Sequence, residues 1–349
     1  LGHLYSENEQ RGIFKTNDGG KSWLKILYVN QQTGFVSLKM DPSNPQVLYA
    51  ASWDRKRRAW NMTESGTGSA IFKTSNGGKH WDKIVRGFPQ DQYTGRIGLA
   101  VSRSKPDTIY AFLDNQTPRS DKIDKEKMKD ANYRLLNSQV VGAEVYRSDD
   151  GGMNWKRTHR EMLSRRIVST YGYYFGQIYV SPDNENTLFI LGVPLMKSID
   201  GGKSFFTCPK AGGSYGVGLY DVHPDHQALW IDPKYPDRIL LGNDGGLNIS
   251  YDGGLSFDKI NNIPLAQCYT VNIDHQKPYR IYTGLQDNGI NVGPSDFRFG
   301  SRTYIWKMIL GGDGAFVVPD RSDPDTVYAE YQFGNIFRIH LTDSKKRKY

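Results

Sequence analysis

An eight-residue segment that contains two adjacent glycines recurs five times along the chain, at intervals of about fifty to seventy residues. Each copy begins with Ser or Thr, usually carries Asp at its third position, and closes on Trp or Phe. The third-position residues are Asp18, Asn76, Asp150, Asp200 and Asp252. Such a period indicates that one supersecondary unit is repeated, so this octet limits the possible folds more than any other feature of the sequence.

The octet favours a tight hairpin. Its glycine pair permits positive φ at the bend. The Asp at the third position accepts backbone N–H groups inside the turn, and the leading Ser or Thr does the same. We expect the closing aromatic ring to fill the space between neighbouring hairpins. The five third-position residues are therefore interpreted as structural.

A second motif alternates with the octets and places proline between two strands. Its clearest copies are Asp41–Ala50 and Ser102–Ala111, and weaker ones begin at Ser181, Asp232, His275 and Asp320. Proline ends a strand because it has no N–H to donate into a ladder. One unit is then strand A, a proline loop, strand B, a variable connection, strand C, the octet hairpin and strand D. Four antiparallel strands in about fifty residues are typical of a propeller blade.

The predicted fold is thus all-β, a multi-bladed β-propeller of four-stranded antiparallel blades. Complete blades are predicted at 34–85, 95–158, 174–208 and 227–260, a degenerate fifth blade without an octet at 268–309, and partial blades at 1–28 and 313–340. The first and last blades are partial, so either they complete one another around the ring or further blades belong to a longer chain. We favour the second alternative and expect those further blades as partners of this segment.

Composition excludes several classes of protein. No run of eighteen apolar residues exists, so no membrane span is predicted in this segment. Two cysteines, Cys208 and Cys268, are too few for a disulfide framework, and their pairing stays open. The net charge of +8 arises from scattered cations without a recognised nucleic-acid motif, so no nucleic-acid partner is expected.

The octets resemble the Asp-box, or BNR, repeat of sialidases and related propellers. Together with the proline motif, and with segments such as Leu241–Gly246 and Gly284–Gly289, nearly the whole chain resembles the bacterial glycosyl-hydrolase-like, sortilin-type propeller family. The resemblance implies a longer, exported protein that is periplasmic, associated with the outer membrane or extracellular. It does not fix an activity, because the repeat occurs in enzymes, receptors and assembly factors alike.

The B–C and D–A connections are expected to share one end of the blades, opposite the octets and proline loops. We call this end the loop face. A basic run flanked by tryptophans lies in the first B–C connection, and guanidinium groups there suit carboxylates or sulfates while Trp rings stack on sugars. The candidate ligand-binding residues are Trp53, Arg55, Arg57, Arg58 and Trp60 in this run, Tyr173 and Tyr174 on a D–A connection, and Asn288. The competing interpretation is a solvated loop in which Arg packs on Trp.

A D–A connection gives a possible metal site. It carries Asp221, His223, Asp225 and His226, residue types that bind a divalent metal or supply acid–base groups. The spacing matches no recognised metal motif, and the alternative is that these side chains order the loop. No other cofactor is expected.

Three acids end successive B strands or begin the connections that follow them: Asp244, Asp287 and Asp313. Equivalent places in neighbouring blades converge at one rim, and two carboxylates about 5–10 Å apart are what glycoside hydrolysis requires. Each acid also lies in an Asp-Gly or Asp-Asn-Gly sequence, which is common in turns. The leading functional hypothesis is a binding or scaffolding propeller for a glycan or polypeptide, and the alternative is a glycoside hydrolase that uses these three acids.

Overall fold

The computed structural model describes residues 2–3, 5–119, 126–127, 140–160, 163, 172–209, 222–260, 262–263, 265–296 and 306–343. The regular structure in these ranges is almost entirely β-strand. None of the helical turns within them is long and apolar enough to cross a membrane. The chain forms two compact units: unit 1 is Leu1–Asn243 with Leu247–Lys259, and unit 2 is Asp244–Gly246 with Ile260–Tyr349.

Unit 1 begins with a two-stranded sheet of β1 (Ile13–Lys15) and β2 (Leu24–Leu27). The second sheet has the order β3 (Thr33–Met40), β4 (Leu48–Asp54), β7 (Ile71–Thr74), β8 (Asp82–Ile84), and the connection after β4 folds into a small hairpin of β5 (Lys56–Arg57) and β6 (Met62–Thr63). The third sheet is β9 (Thr94–Val101), β10 (Ile109–Pro118), β11 (Val140–Ser148), β12 (Lys156–Arg157). The fourth is β13 (Gln177–Val180), β14 (Leu188–Leu191), β15 (Met196–Ser198), β16 (Phe206–Thr207). The fifth is β17 (His226–Ile231), β18 (Ile239–Asn243), β19 (Gly246–Ser250), β20 (Asp258–Ile260).

The described residues of unit 2 form one four-stranded sheet and one three-stranded sheet. The first is β21 (Cys268–Ile273), β22 (Arg280–Leu285), β23 (Gly289–Pro294), β24 (Lys307–Leu310). The second is β25 (Phe316–Pro319), β26 (Thr326–Tyr331), β27 (Asn335–His340), with a 3-10 turn at Gln332–Gly334. The expectation of an all-β propeller with four-stranded antiparallel blades is confirmed by these sheets.

Each octet closes its hairpin through a small set of hydrogen bonds. In the third octet, Oδ1 of Asp150 accepts the N–H of Asn154 at 2.9 Å, and Oγ of Ser148 accepts the N–H of Gly152 at 2.9 Å. Gly151 and Gly152 have φ of 68° and 86°, the left-handed region that side chains avoid. The second octet uses Asn76 in the same way, since its Oδ1 accepts the N–H of His80 at 2.9 Å. The sequence pattern is therefore a turn pattern.

Octets and proline loops meet at the same end of a sheet. The N–H of Gly151, the first glycine of its octet, donates to the carbonyl of Asp107 at 3.0 Å, and Gly253 makes the equivalent bond to Asp237 at 2.9 Å. A cation just before the octet then reaches the octet of the next sheet. Lys15, Lys73 and Lys197 donate to the carbonyls of Gly77, Gly151 and Gly253 at 2.9, 2.6 and 2.9 Å. These bonds tie successive sheets of unit 1 together at this end.

Apolar side chains fill the space between successive sheets. One cluster joins Tyr49 and Ile71 of the second sheet to Ile97 and Ile109 of the third, and comparable clusters lie between the next two pairs of sheets in unit 1. In unit 2, a fourth cluster joins its two sheets. Burial of this kind stabilises a fold by about 25 cal/mol per Å² of apolar surface.

The closing aromatic residue of the octet is buried in some copies only. Trp155 and Phe257 are buried, which fits the expected role as a filler between hairpins. Trp23 of the first octet is instead 60% exposed, so that expectation is wrong there. Cys208 is buried, Cys268 is exposed, and neither takes part in a disulfide.

Candidate functional site: an arginine cluster on the loop face of unit 1

Trp53 lies at the carboxyl end of β4, away from the octets. The middle of β4 is buried from Tyr49 to Trp53, because this strand lies between β3 and β7 and apolar side chains cover both of its faces. Trp53 is 3% exposed, and its indole N–H donates to the carbonyl of Glu64 at 2.7 Å. The ring is thereby fixed, so it gives a rigid base for the charged groups packed on it.

Two arginines from different sheets lie over this ring. The guanidinium carbon of Arg55 is 5.1 Å from a Trp53 ring centroid, and that of Arg96 is 5.7 Å away. Arg55 follows β4 in the second sheet, whereas Arg96 belongs to β9 in the third. Arg96 donates to the carbonyl of Tyr173 at 3.1 Å and also to that of Tyr174. Cation–π attraction stabilises both charges at the ring.

A third arginine approaches from the first sheet. Arg11 is 4% exposed, and it donates to the carbonyls of Gln32 and of Arg55, the latter at 3.3 Å. Desolvation by burial is the main cause that lowers the pKa of Arg11 and Arg55, and it lowers the pKa of Arg96 to about 10. The positive charge of Arg11 lowers the pKa of Arg55 further, and that of Arg55 lowers the pKa of Arg96 further. We call Arg11, Arg55 and Arg96 the arginine cluster.

Two carboxylates near the arginine cluster are themselves partly desolvated. Burial raises the pKa of Asp54, although its Oδ2 accepts the N–H of Gly68 at 3.4 Å and Arg11 is nearby. Burial likewise raises the pKa of Asp114 to about 6, against the opposing effects of a hydrogen bond from Gln116 and the charge of Arg96. These acids offset part of the arginine charge without forming ion pairs with it.

The rest of the basic run faces solvent. Arg57 lies 5.6 Å from the ring centroid of Tyr5, while Lys56 pairs with Glu7 at 2.9 Å. Arg58 is exposed, and Trp60 is 83% exposed. The structure thus divides the predicted ligand-binding run into buried Trp53, half-buried Arg55 and an exposed part, which is Arg57, Arg58 and Trp60.

The D–A connection near Arg96 is only partly described. Tyr174 is exposed, and its ring makes an edge contact with Phe175 at 5.0 Å between centroids. Tyr173 is half-buried and contributes its backbone carbonyl to Arg96. The predicted ligand residues on this connection therefore lie next to the arginine cluster.

The three predicted catalytic acids lie together in unit 2. Carboxylate oxygens of Asp244 and Asp287 are within 4.8 Å of each other, and Oδ1 of Asp313 accepts the N–H of Asp287 at 2.8 Å. The amide of Asn288 donates to the carbonyl of Asp244 at 3.2 Å. Desolvation, followed by the charges of all three acids, raises the pKa of Tyr269. Asp287 has φ of 55° in the turn between β22 and β23, so it also serves the turn.

Three of the four predicted metal-binding residues lie within the described part of the chain. Asp221 lies outside the described residues. Asp225 has φ of 64°, and His226 is buried at the start of β17, where both backbone N–H groups bond to the chain at Gly192 and Val193. His223 contacts the carbonyl of Pro224 at 3.0 Å through Nδ1. Among the described residues, neither His223 nor His226 belongs to a group of three side chains close enough to hold one metal ion. The metal site on this connection therefore stays a prediction.

Sequence reasoning missed Arg11 and Arg96. A signal for Arg96 exists, because it is a cation inside the otherwise apolar alternating strand Thr94–Val101. Arg11 precedes β1 in a polar stretch and carries no comparable signal.

Comparisons with known proteins concern the fold. No protein-family model and no curated protein matches the chain. Among solved structures, it is similar to the GH74 xyloglucanase from Xanthomonas campestris, with 14% identity and a TM-score of 0.44 over 90% of this chain and 45% of that one. It is also similar to YCF48 from Cyanidioschyzon merolae, with 12% identity and a TM-score of 0.41 over 91% and 85%. A structure of YCF48 bound to D1 peptide gives 13% identity and a TM-score of 0.39 over 95% and 87%.

The chain spans less than half the length of that xyloglucanase. The assignment to the β-propeller class follows from the sheets described above.

Proposed function

We propose that this chain is part of an exported propeller of the Asp-box, sortilin-like type that recognises a polypeptide or glycan on its loop face. The observation that carries the proposal is the combination of exposed and anchored cation–aromatic groups at one end of unit 1. Arg57, Arg58 and Trp60 are exposed there, beside an arginine cluster fixed on Trp53. Aromatic and Arg residues are the side chains that most often dominate binding energy at protein interfaces.

The rigid sheets beneath this surface suit a recognition role. A ligand that binds to loops on a preformed scaffold loses less free energy in ordering those loops. The octets and lysine ties hold the opposite end of the sheets and do not occupy the loop face. The proposed Asp-box relationship is supported by the turn bonds of Asp150 and its counterparts.

The test is an array of peptides and glycans probed with the purified chain and with three variants. We expect Trp60→Ala and the double variant Arg57→Ala/Arg58→Ala to weaken the best ligand about tenfold or more, since such anchors contribute 1–2 kcal/mol or more each. Arg103→Ala is the matched control, because Arg103 is an exposed arginine in a proline loop at the other end of its sheet. Equal loss in Arg103→Ala, or no loss in the loop-face variants, would contradict the proposal.

Glycoside hydrolysis is the second candidate function. It is favoured by one observation, the approach of Asp244 and Asp287 to within 4.8 Å in unit 2. Retaining glycosidases hold their two carboxyl groups about 5 Å apart, one as acid–base and one as nucleophile. Release of reducing ends from a polysaccharide, abolished in Asp244→Asn and Asp287→Asn variants that remain folded, would support this function. Turnover that survives both variants would exclude these acids.

A further inference from the structure

A cavity of about 620 Å³ lies between the third and fourth sheets of unit 1, at their octet end. Its walls come from the third octet and β12 on one side, and from the fourth octet on the other. Apart from Gly201, every residue of its lining is polar or charged. Lys156, Arg157 and Lys203 of the lining are exposed to solvent, so a ligand has access. The volume is in the range of small-molecule sites, and the lining selects a polar or charged molecule.

Arg147 makes this junction different from the neighbouring ones. Elsewhere in unit 1, a lysine just before an octet donates to the first glycine of the next octet. Arg147 takes that position before the third octet, but its Nε and Nη2 donate to the carboxylate of Asp149 at 2.9 and 2.7 Å, and its Nη1 donates to Oδ1 of Asn186 at 2.7 Å. Among the described residues it makes no bond to the carbonyl of Gly201. The cavity thus coincides with a junction that lacks the lysine tie.

The acids of the lining already have hydrogen-bond donors. Both carboxylate oxygens of Asp150 and of Asp200 accept bonds within their own octets. Both oxygens of Asp149 accept from the Nε of Arg147. Because these bonds occupy the carboxylates, the acceptors of the walls are used inside the protein.

Two lysines supply the donors that remain. Lys156 belongs to β12 on the wall of the third sheet, and Lys203 is the sixth residue of the fourth octet, on the opposite wall. Neither ammonium group has a hydrogen bond or an ion pair with a described residue, whereas Arg157 beside them pairs with buried Glu144 at 2.8 Å. Each ammonium group carries three N–H donors. The cavity therefore offers positive charge and unused donors to a ligand that brings acceptors.

We propose that this cavity binds a small molecule that carries a phosphate monoester, with the phosphate oxygens between Lys156 and Lys203. A phosphate monoester has about 1.5–2 negative charges at pH 7 and three strong acceptor oxygens, which suits two ammonium groups on opposite walls. The cavity is larger than one oxyanion needs, so the rest of it holds the carrier, and the polar lining suits a hydroxylated carrier such as a sugar. The site lies at the octet end and does not depend on recognition at the loop face.

The first experiment follows both lysines in protein labelled with ¹³C-lysine. Glucose 6-phosphate is titrated at constant ionic strength, beside glucose and sodium chloride, and the ¹³Cε resonances are assigned with Lys156→Gln and Lys203→Gln. We expect saturable shifts of both resonances with glucose 6-phosphate and none with glucose or chloride. Shifts that do not saturate, or that glucose or chloride reproduces, would overturn the site.

The second sheet offers matched control lysines. Lys79 is the sixth residue of the second octet, as Lys203 is of the fourth. Lys83 lies in β8, the counterpart of the strand that carries Lys156. All four side chains are exposed, so the substitutions leave the core intact. We expect Lys156→Gln and Lys203→Gln each to weaken glucose 6-phosphate about tenfold, since each removes a hydrogen bond between charged groups, and Lys79→Gln and Lys83→Gln to leave its affinity unchanged. Equal losses in the controls, or unchanged affinity in the cavity variants, would show that the ligand binds elsewhere.

A third comparison identifies the group that is recognised. Inorganic phosphate, glucose 6-phosphate and glucose 6-sulfate are measured against the parent chain under the same conditions. We expect the sugar phosphate to bind more tightly than inorganic phosphate, because the cavity also holds the carrier, and the singly charged sulfate ester to bind about tenfold more weakly than the phosphate ester. Inorganic phosphate that binds more tightly than both esters would overturn the small-molecule carrier. A sulfate ester that binds as tightly as the phosphate ester would overturn the preference for a phosphate.

Discussion

At the scale of single residues, the octet acid shows how a sequence pattern becomes a bond network. Oδ1 of Asp150 accepts from Ser148 and from the N–H of Asn154, and Oδ2 accepts from the side chain of Asn154. These bonds, led by the one from the Asn154 side chain, lower the pKa of Asp150 to about 2. The naturally occurring Asn76 keeps the Oδ1 bonds alone.

We predict that Asp150→Ala lowers the free energy of unfolding by about 1–2 kcal/mol, because the turn N–H groups lose their acceptor. Asp150→Asn is the matched control and should lose less, since Asn76 performs the Oδ1 role in the second octet. Urea denaturation at pH 7 measures both variants. Equal losses in the two variants would show that the carbonyl-type acceptor is not the important group.

The lowered pKa of Asp150 also predicts a dependence on pH. A carboxyl group whose pKa is lower in the folded state than in the unfolded state stabilises the fold above about pH 4 and loses that effect as the pH falls toward about 2. We expect Asp150→Asn to lose less stability than the parent protein between these pH values. If the free energy of unfolding falls by the same amount in Asp150→Asn and in the parent protein over this pH range, the prediction is wrong.

The change of stability with pH that is expected from Asp114 has the opposite sign. Its pKa is raised by burial to about 6, so the folded protein binds a proton that the unfolded chain has already released above about pH 4. Stability contributed by this residue therefore falls as the pH rises from about 4 to about 6, and stays low above that. We predict that Asp114→Asn, which keeps an oxygen for Gln116, raises stability at pH 7 by about 1 kcal/mol or more and removes this slope. Thermal unfolding from pH 4 to 8 tests it.

At the scale of structural elements, the repeated lysine bonds connect the first, second and fourth sheets of unit 1 to the octet of the next sheet. Lys73 in β7 reaches the carbonyl of Gly151 in the next octet and also lies 5.5 Å from the ring centroid of Tyr49. The lysine stem packs along the sheet while the ammonium group bridges to its neighbour.

We predict that Lys73→Met, which keeps an unbranched apolar stem, lowers the free energy of unfolding by about 1 kcal/mol through loss of a charged hydrogen bond. Lys83→Met is the control, because Lys83 is exposed in the adjacent strand β8. Chemical denaturation of the pair measures the difference. If the two variants are indistinguishable, the tie contributes no stability.

The sheets could be predicted from sequence because their signals are local. The glycine pair of Gly151 and Gly152 and the proline loop before β10 each fix a turn within a few residues. The place of Asp313 was predicted wrongly, because it lies between β24 and β25, before the first strand of its sheet, and not after a second strand as Asp287 does. Its contact with the N–H of Asp287 therefore does not follow from equivalent positions in successive blades. The arginine cluster could not be found this way, because Arg11 and Arg96 meet only through the stacking of sheets that are distant in sequence.

At the scale of the whole molecule, the net charge affects how strongly charged ligands associate with the chain. The chain carries 45 Lys and Arg against 37 Asp and Glu, a net charge of +8. Association with an acidic ligand should therefore be faster at low ionic strength, and we predict that the affinity for an acidic peptide falls by about tenfold or more between about 0.05 and 0.5 M NaCl. Calorimetry at several salt concentrations measures the slope, and a flat response would contradict charge-driven recognition.

The most direct test of recognition against catalysis follows the fate of a bound ligand. The peptide or glycan that binds most tightly on the array is incubated with an equimolar amount of the parent chain, of Trp60→Ala or of Asp287→Asn. The bound ligand is then released, and its mass is measured by mass spectrometry. We predict that the ligand is recovered intact from the parent chain and from Asp287→Asn, and is not retained by Trp60→Ala. A ligand recovered cleaved from the parent chain, and intact from Asp287→Asn, would contradict the account and make this protein a hydrolase.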